Sequence, residues 1–421
     1  MIKLALIGAG QRGNIYAEYA YSNHKDEITA LVEPNAERRA IAAERYHVKP
    51  EMVFDRVEDF FALGKVCDAV IIASMDRDHF AAAIPALELG YDILLEKPIS
   101  PNPVDCLKIQ QKANETGRKV IVCHVLRYTA FFSTIKQIID SGELGKIVSI
   151  QHNENIGNFH MAHSFVRGNW RSSELSSPLI MQKSCHDMDI LAWLANSEAK
   201  TISSFGDLRF FHKGNAPKNS SERCLDCNAA ADCRFDARKA YLPILGQWPA
   251  TVVSTDQSEE GFLAALKTSP YGQCVFRCDN DVCDNQVSLI QFKNGITVSF
   301  NLSAFTNKMC RTLKIMCENG EIRGDDGINK IEVIHFTSNQ ADGFETRIIN
   351  PKLVQGAHGG GDNGLMEDFL NILSSDSACS DSRSSVNRSV ESHIMAYAAE
   401  QSRLSGKTID MDLLKQELMR V

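Results

Sequence analysis

The chain has 421 residues, which at roughly one domain per 150 residues argues for two or three domains. Hydrophobic residues make up 44% and charged residues 23%, the balance of a folded globular protein and not of a disordered one. Lys plus Arg number 45 against 53 Asp plus Glu, a net charge of −8, so the basic surplus expected of a nucleic-acid binder is missing. The longest apolar runs, such as 69–73, are strand-sized and too short to span a membrane. Residues 1–8 lack the charged region, apolar stretch and cleavage site of an export signal, and carry no twin arginine, so a cytoplasmic protein is expected.

In chain order, the aliphatic runs 3–7, 27–32, 69–73, 92–95 and 120–123 predict strands, and the amphipathic stretches 14–22, 36–46, 79–89 and 104–116 predict helices. Strands alternating with helices imply βαβ units and a parallel sheet. From about 146 the pattern changes to longer alternating segments at 147–153, 202–211, 284–293, 296–302, 312–317 and 330–337, which predict a mostly antiparallel sheet. Helices at 182–196 and 363–374 are expected to pack on it. The Ser- and Asp-rich stretch 374–385 predicts a surface loop, and a last helix over 386–402 is expected to pack back on the body. The expected organisation is α/β: a Rossmann-type domain over 1–125, an α+β domain with a large open sheet over 126–385, and a C-terminal segment over 386–421.

Gly8-Ala9-Gly10-Gln11-Arg12-Gly13 follows the first strand and opens the first helix. In that setting Gly8 permits a tight turn, Gly10 lets the backbone approach a pyrophosphate, and Gly13 allows close helix–strand packing, while the helix N-terminus presents free N–H groups to the anion. Twenty residues past Gly13, Glu33 ends the second strand, where a carboxylate can accept bonds from ribose hydroxyls and repel a 2′-phosphate. NAD is therefore favoured over NADP, with Arg12 and Arg38 close enough in sequence to accept a phosphate instead.

With Glu96-Lys97-Pro98 after the fourth long strand, and His186-Asp187-Met188-Asp189 at a helix start, these motifs resemble the glucose–fructose oxidoreductase/inositol dehydrogenase/MocA (Gfo/Idh/MocA) family over essentially the whole chain. The resemblance implies a sheet domain that covers the cofactor and often pairs between subunits, hence a homodimer or homotetramer. It places Lys97 beside the nicotinamide, with Pro98 as the motif's frequently cis proline, and Ser74, His79 and Glu96 join the residues assigned to the cofactor. Family dehydrogenases carry Asp-x-x-x-His; here the stretch is Gln182-Lys183-Ser184-Cys185-His186, so His186 is retained and Gln182 replaces the acid. Four-residue spacing keeps Gln182 and His186 on one helical face. A Gln binds a hydroxyl but exchanges no proton, which leaves His186, or Lys183 with a burial-depressed pKa, as the base. Asp189 would fix the helix or the imidazole.

The stretch holding Asn155, His160, His163, Ser164, Arg167, Asn169, Trp170 and Arg171 is dense in polar hooks. Trp170 offers a flat face for a sugar ring, and His163 and Arg167 offer donors; a polar loop with an anchoring Trp fits equally well. His358-Gly359-Gly360-Gly361-Asp362 adds His358 and Asp362 as hydroxyl ligands, or forms a plain connector.

Thirteen cysteines, an odd number, argue against a complete disulfide framework. Cys67, Cys106, Cys123, Cys310, Cys317 and Cys379 read as small buried apolar residues. Cys224-x-x-Cys227, Cys233, and then Cys274 or Cys278, with Cys283 beyond, lie in a loop-rich insertion at about 214–283. That spacing suits a structural zinc held by Cys224, Cys227, Cys233 and Cys274; an iron–sulfur cluster, a redox thiol pair and chance spacing compete.

Three functions follow. The first is an NAD(P)-dependent oxidoreductase acting on a secondary alcohol of a sugar, cyclitol or glycoside. The second is an NAD-dependent glycosidase that oxidises a ring hydroxyl, eliminates the aglycone and recycles the cofactor. The third is a non-catalytic NAD(P)-binding regulator, disfavoured by intact Lys97 and His186.

Overall fold

The computed structural model describes residues 1–24, 26–338, 343–374 and 382–420. Cys379 and most of the 374–385 stretch lie outside them.

Two sheets organise the chain. The first has six parallel strands in the order β3-β2-β1-β4-β5-β6: β1 (Lys3–Ile7), β2 (Glu27–Val32), β3 (Val53–Phe54), β4 (Ala69–Ile72), β5 (Asp92–Leu95) and β6 (Val120–Val122). β4 is fully buried, as expected of a central parallel strand covered on both faces by helices. The strand order is doubly wound and reverses beside β1, which puts the binding crevice at the carboxyl ends of β1 and β4. The two-residue strand β3 was too short to show as a pattern in the sequence.

The second sheet has nine strands in the order β14-β13-β12-β11-β7-β10-β9-β8-β15. They are β7 (Ile147–Asn155), β8 (Ala199–Asp207), β9 (Asn285–Phe292), β10 (Thr297–Ser303), β11 (Cys310–Cys317), β12 (Gly320–Asp325), β13 (Lys330–Phe336), β14 (Phe344–Ile349) and β15 (Ile409–Asp410). All neighbours are antiparallel except β7 and β10, which run parallel at the centre. One face of this sheet is covered by the Cys185–Ala195 and Val386–Ser405 helices. Sequence reasoning missed β12, where two glycines dilute the strand pattern, and β14, an exposed edge. The predicted segment 202–211 stops at Asp207, because Asp284 accepts bonds from the backbone N–H groups of Arg209, Phe210 and Phe211 and turns the chain out of the sheet.

The insertion after β8 is less loop-like than its sequence suggests. It folds into short helices at Ala237–Tyr241, Ala250–Val253 and Glu259–Thr268 around a small core of Tyr241, Phe262, Leu266 and Tyr271. Among the described residues no helix is long and apolar enough to cross a membrane.

Asp189, on the Cys185–Ala195 helix, accepts two bonds from Arg127 just after β6, at 2.7 Å each, and both side chains are buried. This fork ties the end of the parallel sheet to the helix that carries His186. Removing one partner strands a buried charge, at about 3–5 kcal/mol, whereas removing both does not. Arg127→Leu and Asp189→Leu are each expected to lower the melting temperature sharply, and the double variant to recover most of the loss. Additive losses in thermal unfolding would show that the pair is not coupled.

Candidate active site

The glycine motif is built as its chemistry requires. Gly8 sits at φ +93°, and a Cβ there would stand 2.6 Å from the backbone of Ala73 and Ser74. A Cβ on Gly13 would stand 2.0 Å from the Gly8 carbonyl oxygen. At Gly10 a Cβ would meet nothing within 4 Å, so the open space lies on the side where a pyrophosphate approaches. Gln11 opens the Gln11–His24 helix, whose first N–H groups face the same space. Glu33 is buried at the end of β2, where its carboxylate accepts from the Ala9 N–H (2.8 Å) and the Asn35 N–H (2.9 Å) and keeps further lone pairs for hydroxyl donors. Ser74, beyond the end of β4, has a buried hydroxyl without a hydrogen-bond partner, a group waiting for a ligand atom. These residues fit a dinucleotide.

Other members of the expected cofactor set do different work. Arg12 is spent on acids inside the protein: its Nε donates to Glu96 at 2.7 Å, and its Nη2 reaches Asp362 and Tyr16. It is therefore not free to take a phosphate, whereas Arg38 remains exposed on the first turn of the Ala36–Arg45 helix. Glu96 also accepts from Tyr16 (2.8 Å) and from the Lys97 N–H (2.6 Å). Burial would raise its pKa, but Arg12 and Lys97 outweigh that and lower it, so it stays charged and braces the turn. His79 is buried with Nδ1 2.8 Å from the Pro98 carbonyl and Nε2 3.2 Å from the Ser74 carbonyl, so it braces the turn behind the crevice. The Lys97–Pro98 peptide is cis.

Lys97 projects from this turn and its Nζ donates to the Gln182 carbonyl at 3.0 Å. Gln182 is buried; its side-chain amide donates to the Ser177 carbonyl, and its Oε1 has no partner. His186 lies four residues on, its ring near those of His124 (5.7 Å) and His358 (6.4 Å), with Nδ1 unpartnered. Burial, then Lys97 and His124, push its pKa well below 6.5, so the imidazole is neutral at physiological pH. Lys183 is buried 3.4 Å from Glu154. Burial lowers its pKa, Glu154 opposes, and Arg311 and Lys97 push it further down. His160 completes this wall, its pKa lowered by burial and by Lys183. The arrangement sets several imidazoles with lowered pKa, His124, His160, His186 and His358, among amine and guanidinium donors.

Sequence reasoning missed the layer beneath. Arg311 is buried between Asp187 (2.8 Å) and Glu154, and Asp187 also takes His152 at 2.8 Å. The signal was available: along β7 the inward positions are Ile150, His152 and Glu154, polar where a half-buried strand should be apolar.

The expected substrate residues separate. His358 is 42% exposed, its Nδ1–H donates to the Asp362 carboxylate at 2.8 Å, and its ring faces His186. Asp362 has no exposed side-chain surface; burial would raise its pKa, but His358 and Arg12 hold it near 2, so it is a charged partner that orients His358. His163 bonds Tyr241 at 3.0 Å and stacks on Tyr271, inside the insertion. Arg167 is wholly buried on carbonyls and a thiol there. Trp170 leans on Phe165 at the surface. None of these three shares the cleft with Lys97 through any contact found among the described residues.

The cysteines Cys224, Cys227, Cys233 and Cys274 line one small cavity, but no three of their sulfurs lie within 4.8 Å of one another. Cys278 lies near Arg167 and donates to the Cys274 carbonyl at 3.3 Å, and Cys283 lies elsewhere, buried.

Known proteins share these features. Residues 2–124 match the family model described as "Oxidoreductase family, NAD-binding Rossmann fold", and residues 136–409 match "Oxidoreductase family, C-terminal alpha/beta domain". The chain is 25% identical over 364 residues, 83% of each chain, to the Bacillus subtilis (strain 168) protein named "Putative oxidoreductase YteT". It is 28% identical over 206 residues to an inositol 2-dehydrogenase of Corynebacterium glutamicum, a match spanning 48% of this chain and 56% of the relative. Among solved structures, an Agrobacterium radiobacter oxidoreductase in complex with NAD+, L-tartaric acid and magnesium has the same fold, with a TM-score of 0.70 and 15% identity over 98% of this chain and 99% of that one. The chain belongs to the Gfo/Idh/MocA oxidoreductase family.

Proposed function

We propose that the protein is an NAD-dependent oxidoreductase that converts a secondary alcohol of a sugar, cyclitol or glycoside to the ketone, and back. The observation that carries this reading is the meeting of Lys97, anchored at the carboxyl end of β5, with Gln182 and the neutral His186 at the mouth of the dinucleotide crevice. The relatives named as inositol dehydrogenases support the polyol class.

When bound, the nicotinamide supplies a hydride acceptor. Lys97 donates a hydrogen bond to the substrate oxygen and steadies it as it becomes a carbonyl. Neutral His186 accepts the hydroxyl proton, which its low pKa allows at physiological pH. The free Oε1 of Gln182 accepts from a neighbouring hydroxyl, and the half-exposed His358, oriented by Asp362, binds another. Glu33 favours NAD over NADP, because a 2′-phosphate would meet its carboxylate.

A second reading rests on Lys183. A buried amine with a lowered pKa can take a proton from the carbon next to a transient ketone, the step that a glycosidase working by oxidation and elimination needs. That reading requires NAD(H) to stay bound through turnover. Denaturing freshly purified protein would release near-equimolar NAD(H) if it holds, and little if cofactor exchanges each turnover.

The second sheet exposes Phe205, Val287 and Leu289 on its face away from the helices. We propose that this face pairs with a second copy, giving a homodimer or homotetramer; light scattering should show it, and Leu289→Asp should shift the protein toward monomer. A monomeric wild type would rule it out.

Two outcomes test the chemistry. Gly10→Val adds bulk where the protein has open space, so the variant should fold like wild type yet bind NADH at least ~10-fold more weakly by calorimetry, while NADPH should bind wild type ~10-fold more weakly than NADH. Unchanged NADH affinity in the variant would remove the crevice from the account. In a screen of polyols against NAD+, kcat/KM for oxidation should rise with pH only below 6.5 and be flat above, because protonating His186 removes the base and its pKa is depressed. An acid limb centred above 6.5 would transfer the base role to Lys183.

A further inference from the structure

We infer that Cys224, Cys227, Cys233 and Cys274 form a structural zinc site that locks the insertion onto the wall of the active-site cleft.

The four thiols come from three separate stretches of the insertion, yet they line a single cavity with about 10 Å³ of free space, room for one water-sized sphere. Cys224 and Cys227 sit at the two ends of one tight turn, closed by a bond from the Cys227 N–H to the Cys224 carbonyl (3.2 Å). The Cys274 N–H donates to the Glu222 carbonyl (2.9 Å), which holds the fourth thiol against that turn. Cys-x-x-Cys on a tight turn with two further thiols is the donor set of a closed tetrahedral site.

The charge balance is the independent observation. Arg167 is wholly buried, and its guanidinium donates to the Gln273 carbonyl (2.7 Å), the Phe235 carbonyl (2.8 Å) and the Cys224 sulfur (3.2 Å). Among the described residues it makes no ion pair with a carboxylate. A buried cation without an anion is costly, and the nearby sulfurs are the groups able to supply one. Four thiolates around one zinc carry a net charge of −2, part of which Arg167 offsets. Binding would release the thiol protons and draw the sulfurs from their present spread to about 3.8 Å apart, as Zn–S bonds of 2.3 Å require. Four thiolates leave no open position, so the metal would take no part in the reaction.

Arg167 gives the site a reach beyond the insertion. It ends the helical segment Met161–Arg167, which starts beside His160, and His160 faces Lys183. From the other side, Trp248 of the insertion packs edge-on against His160 (5.4 Å) and His163 (5.9 Å). The metal would hold the cleft wall in place through the Arg167–Cys224 contact.

The test is metal analysis of the full-length protein purified from zinc-supplemented medium. About one zinc per chain is expected, with Cys227→Ser and Cys233→Ser each losing most of it and melting at lower temperature. Cobalt(II) exchanged into wild type should give sulfur-to-metal charge-transfer bands and the d–d bands of a tetrahedral thiolate site, a readout that survives even if the variants fail to fold. Wild type that carries no metal, gives no such bands with cobalt and exposes these thiols to a thiol reagent in the native state would overturn the proposal. Bound iron with a coloured cluster would overturn the zinc assignment.

Discussion

The structure depends on the turn from Glu96 to Ile99 being held from three sides. Arg12, from the glycine motif, grips Glu96, and through Asp362 it grips the start of the Gly361–Ser374 helix as well. His79, at the start of the His79–Glu88 helix, faces the Pro98 carbonyl. His393, on the Val386–Ser405 helix, accepts from the Ile99 N–H at 2.9 Å; burial lowers its pKa to about 3, so its Nε2 stays an acceptor at all ordinary pH. Elements from early and late in the chain thus converge on four residues, and Lys97 is the one whose side chain reaches across to Gln182. A catalytic amine is only as useful as its position, and this turn has few ways to move.

Opposite Lys97, the electrostatics are arranged around a neutral imidazole. Burial disfavours a proton on His186 most strongly, and Lys97, His124, Arg311 and His358 add to it. The cost of burying Arg311 is met by its ion pairs with Asp187 and Glu154. The acid that family dehydrogenases place near their histidine is absent at Gln182, so the negative charge of this site lies in the layer below and not at the reacting atoms.

Much of this was legible in the sequence, and the failures have physical causes. The parallel sheet and the glycine motif declare themselves because each fixes both residue type and local setting: aliphatic runs between helices, and glycines at 8 and 13 where a Cβ cannot fit. Arg12, Asp362, His163 and Arg167 all bear hydrogen-bonding groups suited to ligands, yet each has a partner within the protein. What distinguishes them is a partner 68 to 350 residues away in sequence, such as Arg12 with Asp362 or Arg167 with Phe235, which local pattern does not encode. Glu154 and Arg311 were visible only as polar residues at inward positions of their strands, and finding them required knowing which face was inward.

The central claim is that Lys97, held by this turn, assists hydride transfer from a polyhydroxylated substrate. It is tested most directly by a single-turnover experiment in which wild type and Lys97→Met, each loaded with NAD+, are mixed with cyclitols, sugars and glycosides while nicotinamide absorbance is followed. The account predicts that at least one polyol reduces the wild-type cofactor, and that Lys97→Met still binds NAD+ but reduces it at least ~100-fold more slowly. Equal rates in the two proteins, or no reduction by any polyol in wild type, would contradict it.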